Sequence, residues 1–198
     1  FNSLAGEFTH YPSTSGDKVA SICGFASGKL LLSIFAQGIF IFDPVTGNKQ
    51  PFTIIDKEVN ERLCLHGNTV NVYRNTPNTI LLLGNHVYCY HLKEKQFSIV
   101  SEEKGINIIE GSLKAIACDG HSTYLNDIKH VYELDNHSNR LRVLFTAQDD
   151  MNINSVSMDE SGCFWIGSNL GLVSYRPATQ KQKMISTSLF TEVSSLIC

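Results

Sequence analysis

Short apolar stretches separated by turn residues run along most of the chain, and the clearest one lies near its C-terminal end. Residues 163–168 form an apolar segment, with Phe164 and Ile166 on one side and Cys163, Trp165 and Gly167 on the other. Successive side chains of a strand point to opposite faces. Because both faces of this segment are apolar, it is predicted to be a strand with other sheets stacked above and below it.

A tight turn is predicted on each side of this strand. Asp159 to Gly162 combines a carboxylate that can accept backbone N–H groups with a glycine that tolerates positive φ. Asn169-Leu170-Gly171 provides the second turn, after which another apolar run leads to Tyr175 and Pro177. The region is therefore predicted to be an antiparallel hairpin inside a small sheet.

The same pattern of strands and turns occurs four times along the chain. The equivalent third-strand positions are Phe42, Tyr90, Leu134 and Tyr175, with spacings of 48, 44 and 41 residues. A period of about 40 to 50 residues is typical of the four-stranded blades of a β-propeller. The predicted blades span residues 19–68, 69–112, 113–152 and 153–186.

Both ends of the chain are predicted to belong to incomplete blades. Residues 1–18 are interpreted as the outer strand of a preceding blade, at Glu7 to Pro12, followed by a linker. Residues 187–198 are interpreted as the start of a following blade. Because the two ends would supply at most two of a blade's four strands, a closed five-bladed ring is not expected. The predicted fold is all-β, a β-propeller arc of about four four-stranded blades with a partial blade at each end, taken from a larger propeller.

The fourth copy resembles the two-component regulator propeller repeat. The shared features are an Asp-x-x-Gly turn, a strand ending in Trp-Ile-Gly-Ser, a second turn ending in Gly-Leu, and Tyr-x-Pro. The residues that carry them are Asp159, Gly162, Trp165, Gly167, Gly171, Tyr175 and Pro177. The resemblance implies the periplasmic sensor region of a hybrid two-component histidine kinase, typically dimeric and often sensing glycans in gut Bacteroidetes. It also implies that the kinase domain and further propeller blades lie elsewhere in the same polypeptide.

Composition and charge restrict the possible partners. The 198 residues are 42% hydrophobic and 18% charged, which is typical of a globular chain with a sizeable core. The net charge of −3 gives no basic field for nucleic acid, so no nucleic-acid partner is expected. No segment approaches the roughly 18 consecutive apolar residues that a membrane-spanning helix requires.

Common motifs for catalysis and metal binding are absent from the sequence. The sequence contains no Gly-x-Ser-x-Gly elbow, no phosphate-binding glycine loop and no His-Glu-x-x-His. Accordingly no catalytic residue, metal or cofactor is predicted. His86 and His130 each open a third strand as His-Val-Tyr, and this repetition favours a structural role over a metal pair. Trp165 is interpreted as a core residue in preference to a platform for a sugar ring.

The six cysteines contain no Cys-x-x-Cys pair, and several fall in predicted strands. They are interpreted as buried free thiols that pack as small hydrophobic residues, in preference to a disulfide framework. Free thiols fit poorly with the oxidising periplasm that the resemblance implies. The cysteines are Cys23, Cys64, Cys89, Cys118, Cys163 and Cys198.

Polar residues in the loops between second and third strands are the candidate ligand-binding residues. In a propeller these loops gather at one rim, where polar side chains can bind a small polar ligand such as an oligosaccharide. Solvent-exposed turns use the same residue types, so a purely structural role stays open. The candidates are Gln37, Asn85, Asp127, Lys129 and Asn169.

Three functions are compatible with the sequence. The first is a sensor segment that binds its ligand without turnover and signals across the membrane. The second is a propeller lyase resembling streptogramin lyase, which would need a metal, a catalytic histidine and a complete ring. The third is a general propeller scaffold for protein partners.

Overall fold

The computed structural model describes residues 8–12, 16–53, 70–84, 86–108 and 113–185. These residues are almost entirely β-structure, with two short 3-10 turns at Ala26–Gly28 and Pro177–Thr179 and no α-helix in the described part. They form four sheets, and the strand order within each sheet follows the chain except that one early strand of the third sheet lies at its outer edge. This is the all-β architecture of successive four-stranded blades that the sequence predicts.

The first sheet contains β1 (Val19–Gly24), β2 (Leu30–Ile34), β3 (Gly38–Phe42) and β4 (Lys49–Pro51). The second contains β5 (Asn71–Thr76), β6 (Thr79–Leu83), β7 (Val87–His91) and β8 (Gln96–Ile99). The third contains β9 (Ser101–Glu102), β10 (Lys114–Cys118), β11 (Ser122–Asn126), β12 (His130–Asp135) and β13 (Arg140–Thr146). The fourth contains β14 (Ile153–Met158), β15 (Phe164–Ser168), β16 (Gly171–Arg176) and β17 (Lys181–Ile185).

The chain divides into two compact units, Phe1–Val72 and Tyr73–Cys198. The first unit holds the first sheet, whose second strand is buried from Leu31 to Ile34. Residues 8–12 form no strand, so the outer strand predicted at Glu7 to Pro12 is absent from the described part of that range. Instead Tyr11 packs edge-on against Phe42, with ring centroids 4.9 Å apart, and its hydroxyl donates to the Pro44 carbonyl.

The second unit is held together by apolar layers between successive sheets. One layer joins the second sheet, through residues such as Leu81 and Val87, to Leu125 and Leu134 of the third sheet. Another layer joins the third sheet to the fourth, and its buried members from the strands of the fourth are Ile153, Phe164, Ile166, Val173 and Tyr175. Phe164 and Ile166 therefore share one buried face of β15, as their alternation predicts. Burial of apolar area between stacked sheets is the main stabilising contribution in this arrangement.

The third sheet has a fifth strand that the sequence pattern does not indicate. β9 lies within predicted blade 69–112, but it pairs in parallel with the outer edge of β13 in the next blade. The Ser101 amide donates to the Asn139 carbonyl at 3.0 Å, and the Glu103 amide donates to the Leu141 carbonyl at 3.1 Å. The crossover between the second and third blades thus covers an edge that would otherwise be open to other strands.

The repeat motif has a clear physical basis at its first turn. Gly162 takes a φ of +74°, and its amide donates to the Asp159 carbonyl at 2.9 Å. The Asp159 carboxylate accepts the amides of Ser161 and Cys163, and it also accepts the Trp165 indole Nε1–H at 2.9 Å. One aspartate therefore fixes both the turn and the half-buried tryptophan of the following strand.

The third blade repeats this arrangement with different residues. The Asp119 carboxylate accepts the amides of His121 and Ser122, and it accepts the Tyr124 hydroxyl at 3.2 Å. Tyr124 thus occupies the place that Trp165 holds in the fourth blade. The third blade therefore has the same bond between a turn aspartate and an aromatic side chain of the next strand, although its sequence departs from the motif of the fourth blade.

Candidate functional site

The candidate site is a rim where loops between second and third strands meet the crossover from one blade to the next. In the second unit, the crossover 147–152 joins β13 to β14 and lies against two such loops, 127–129 and 169–170. The Ile153 amide donates to the Ile128 carbonyl at 2.8 Å, which fixes the end of the crossover. This rim contains three of the five predicted ligand-binding residues.

Lys129 and Asn169 hold the crossover through its backbone. The Lys129 ammonium donates to the carbonyls of Asp149 and Met151, at 2.9 and 2.6 Å. The Asn169 side chain donates to the Asp150 carbonyl at 2.9 Å and accepts the Asn152 amide at 2.6 Å. Both side chains therefore position the rim, and whether either one contacts a ligand remains a prediction.

Asp127 is fully buried beneath the same loop. Its carboxylate accepts the amides of Lys129 and His130, at 2.7 and 2.6 Å, and the Tyr132 hydroxyl at 2.7 Å. Burial, followed by the bond to Asp127, raises the pKa of Tyr132. These three hydrogen bonds offset the loss of hydration that burial of a charged carboxylate entails. Asp127 therefore fixes the turn, and a role of this residue in ligand binding stays a prediction.

The remaining two predicted residues lie elsewhere. Gln37 is exposed in the loop between β2 and β3, and its amide nitrogen donates to Asp17 at 2.7 Å. Asp17 also pairs with Lys49 of the same unit. Asn85 lies outside the described residues. A role of either residue in binding stays a prediction.

His86 and His130 both place Nδ1 against a carboxylate. His86 Nδ1 lies 3.0 Å from Glu102 Oε1, and His130 Nδ1 lies 3.2 Å from Asp127 Oδ1. Each imidazole also packs near the tyrosine two residues later in its His-Val-Tyr segment. Within the described part of the chain, no group of three or more His, Cys, Asp or Glu side chains is arranged to hold a metal ion.

The exposed polar groups of this rim lie on the crossover itself. Gln148, Asp149 and Asp150 are exposed, while the neighbouring Ala147 and Met151 are buried. Sequence reasoning concentrated on the loops between strands and missed these residues. The available signal was the polar run Gln148-Asp149-Asp150 immediately before an apolar strand. The structure thus displays two carboxylates and an amide on a backbone that Lys129 and Asn169 hold in place.

Four of the cysteines fall within the described residues, and all four carry free thiols. Cys89 and Cys163 are buried, and burial raises the pKa of Cys89 to about 11. Cys23 and Cys118 are partly buried, which agrees with the packing role predicted for them. Cys64 and Cys198 lie outside the described residues. No helix in the described ranges has the length and apolar character needed to cross a membrane.

No protein-family model matches this sequence, and no curated protein matches it either. Solved structures do match. The extracellular domain of the BT4673 hybrid two-component system from B. thetaiotaomicron superimposes with a TM-score of 0.64 at 15% identity. That match covers 89% of this chain and 23% of the other, so the present chain spans about a quarter of that domain's length.

Two other propellers match as well. Virginiamycin B lyase from Staphylococcus aureus gives a TM-score of 0.61 at 10% identity, covering 92% of this chain and 60% of the enzyme. The WD40 propeller domain of Doa1 gives a TM-score of 0.58 at 12% identity, covering 91% of this chain and 57% of that domain. At these identities the comparisons establish the fold. The four sheets of this chain are β-propeller blades, similar in fold to the BT4673 extracellular domain and to the other two propellers.

Proposed function

We propose that the chain is part of the periplasmic ligand-sensing propeller of a hybrid two-component sensor histidine kinase. In this proposal it binds a small polar ligand, most simply an oligosaccharide, and releases it unchanged. The observation that carries the proposal is the match of its blades to the extracellular domain of the BT4673 hybrid two-component system. The Asp-x-x-Gly and Trp-Ile-Gly-Ser motif of the fourth blade supports it independently.

The proposed contacts lie on the crossover 147–152. Gln148, Asp149 and Asp150 present two carboxylates and one amide, which suit the hydroxyl groups of a sugar. Lys129 and Asn169 act as positioning residues, because their side chains fix the backbone that carries these groups. A preorganised site loses less conformational entropy when the ligand binds.

Signalling would then depend on how the ligand alters an equilibrium. A ligand can shift the equilibrium between two conformational states only if it binds one state more tightly than the other. In the dimeric parent that the resemblance implies, we propose that the two states are different arrangements of the paired extracellular regions. Further blades of the same polypeptide would complete the propeller around the rim described above.

We test the proposal with the complete extracellular region and a panel of neutral and acidic oligosaccharides. A bound sugar should raise the melting temperature through the linkage of binding to folding, and chromatography should recover it unchanged. Asp149→Asn combined with Asp150→Asn should weaken binding about tenfold, since charged hydrogen-bond acceptors are lost. The matched control, Glu94→Gln with Glu160→Gln, removes two exposed carboxylates away from the rim and should bind normally.

The main alternative is a propeller lyase, which the match to virginiamycin B lyase favours. Its candidate histidines would be His86 and His130, whose Nδ1 atoms are directed at carboxylates in the way that often orients metal-binding imidazoles. Recovery of a cleaved product, with metal-dependent turnover that His86→Ala or His130→Ala abolishes, would replace the sensor proposal with this one.

A further inference from the structure

The outer edges of the third and fourth blades have the same local geometry. β13 follows Asn139 at a φ of 56°, and β17 follows Gln180 at a φ of 52°. Arg140, the first residue of β13, lies opposite Asp135 of β12. Lys181, the first residue of β17, lies opposite Arg176 of β16. The two edges can therefore be compared residue by residue.

In the third blade, the positive charges of the edge have acidic partners. Arg142 pairs with Glu133 on the neighbouring strand. Arg140 lies 3.6 Å from Glu103, which directly follows β9. The hollow beside this edge, about 410 Å³ in volume, is lined by Glu103, Glu133, Asp135, Ser138, Arg140 and Arg142. An acidic extended segment therefore covers the edge and supplies a carboxylate to it.

In the fourth blade, the corresponding positions are basic and lack acidic partners. Arg176 replaces Asp135, and Ser174 replaces Glu133. Within the described part of the chain, Arg176, Lys181 and Lys183 form no ion pair, and all three are exposed. The matching hollow is about 600 Å³ and is lined by Cys163, Ser174, Arg176, Thr179, Lys181, Gln182 and Lys183.

The crossover before the fourth blade is too short to cover this edge. In the third blade the covering strand comes from the crossover between β8 and β10, which runs from residue 100 to residue 113. The crossover between β13 and β14 comprises only residues 147–152, and Lys129 and Asn169 hold it at the rim. β17 is the last strand of its sheet in the described ranges.

The other outer strands differ in charge. Lys49 of β4 pairs with Asp17, so that edge has its own carboxylate. β8 contains no charged residue. When only the described residues are considered, β17 is therefore the outer strand that has no neighbour on its outer edge and also carries several positive charges without acidic partners.

We propose that β17 binds an acidic, extended peptide segment of a partner protein as an additional parallel strand. Its backbone amides would donate to the carbonyls of Gln180 and Gln182, which correspond to the Asn139 and Leu141 carbonyls that accept from β9. Its carboxylates would meet Lys181, Lys183 and Arg176, as Glu103 meets Arg140 in the third blade. Strand addition gives affinity through the main chain, and the charges give selectivity for acidic segments.

The test uses the 198-residue chain and a capped peptide in which Glu alternates with Thr. Nuclear magnetic resonance titration should show binding, with slowed hydrogen exchange at β17 amides and backbone contacts in parallel register. Lys181→Glu combined with Lys183→Glu should weaken binding about tenfold or more. The same variant should bind a Lys-Thr peptide better than the parent chain does, which shows that the variant is folded. The matched control Lys93→Glu with Lys95→Glu, on an exposed turn, should bind the Glu-Thr peptide as the parent does.

Several results would overturn the proposal. One is equal binding of a Gln-Thr peptide, which would show that the charges confer no selectivity. Another is tighter binding of a sulfated oligosaccharide without any new protection of backbone amides, since this would make the face a site for polyanions. Full protection of the outward β17 amides in the free chain would show that its own residues already cover the edge.

Discussion

At the scale of single residues, aspartates act as acceptors for backbone amides in two different environments. Asp159 lies in an exposed turn and accepts amides together with the Trp165 indole. Asp127 is fully buried and accepts amides together with the Tyr132 hydroxyl. In each case a carboxylate at the start of a turn also fixes an aromatic residue of the next strand.

The hydrogen bonds of Asp159 should make the stability of the fold sensitive to acid. The Ser161 hydroxyl, followed by the Trp165 indole, lowers the pKa of Asp159 from 3.8 to about 2. Because the folded-state pKa is the lower one, the stability contributed by the ionised group is present above pH 3.8 and is lost as the pH falls toward 2. In the Asp159→Asn variant, the free energy of unfolding should therefore decrease less between pH 3.8 and pH 2 than in the parent chain. Urea melts at several pH values measure this free energy, with Glu160→Gln as the control. If the variant and the parent chain show the same pH dependence, Asp159 does not have the lowered pKa described here.

Trp165 provides a test of whether the signature tryptophan is structural. It is half-buried and bonded to Asp159, so Trp165→Ala should lower the unfolding free energy by about 3 kcal/mol. Trp165→Phe keeps an aromatic ring and loses the indole N–H, so the expected cost is about 1 kcal/mol. Denaturant midpoints compare the two variants. A negligible shift for Trp165→Ala would instead favour a surface role such as sugar stacking.

At the scale of elements, the rim depends on side chains that reach from one loop to the backbone of another. Lys129 and Asn169 approach the crossover 147–152 from two adjacent blades. The crossover carries the exposed polar groups, whereas these two residues determine where those groups lie. Order at the rim is therefore set by hydrogen bonds from loops of two neighbouring blades.

Loosening this arrangement should affect the crossover far more than the sheets. Lys129→Met with Asn169→Ala removes four hydrogen bonds to the crossover backbone. Amide hydrogen exchange of Asn152 should accelerate, while protection of the buried strands β12 and β15 stays close to that of the parent chain. Unchanged exchange at Asn152 would mean that the crossover does not need these side chains. Lys93→Met with Asn78→Ala, at another turn, is the control.

Turn chemistry and alternation predicted the blades because both act locally. β15 at Phe164–Ser168 lies within the predicted apolar segment 163–168, and Gly162 of the Asp159 turn has the predicted positive φ. β9 could not be predicted, because Ser101-Glu102 has no apolar alternation and its partner Arg140 is distant in sequence. The positioning roles of Lys129 and Asn169 could not be predicted either, because their partners are mainly backbone carbonyls, which every residue has and which no sequence pattern distinguishes.

At the scale of the whole molecule, the chain consists of two compact units, Phe1–Val72 and Tyr73–Cys198. In Tyr73–Cys198, apolar layers join each sheet to the next, so stability there accumulates from neighbour to neighbour, as in other repeat proteins. A substitution in one layer is therefore expected to act mostly on the two sheets that share it.

The parallel pairing of β9 with β13 also determines how this region would respond to mechanical force. Traction along the chain on both sides of the third blade would pull β9 toward its N-terminal end and β13 toward its C-terminal end. Since the strands are parallel, the Ser101–Asn139 and Glu103–Leu141 hydrogen bonds would be sheared together and not opened one after the other. Under such a force, these two hydrogen bonds between β9 and β13 would have to break before the strands β10 to β12 are loaded.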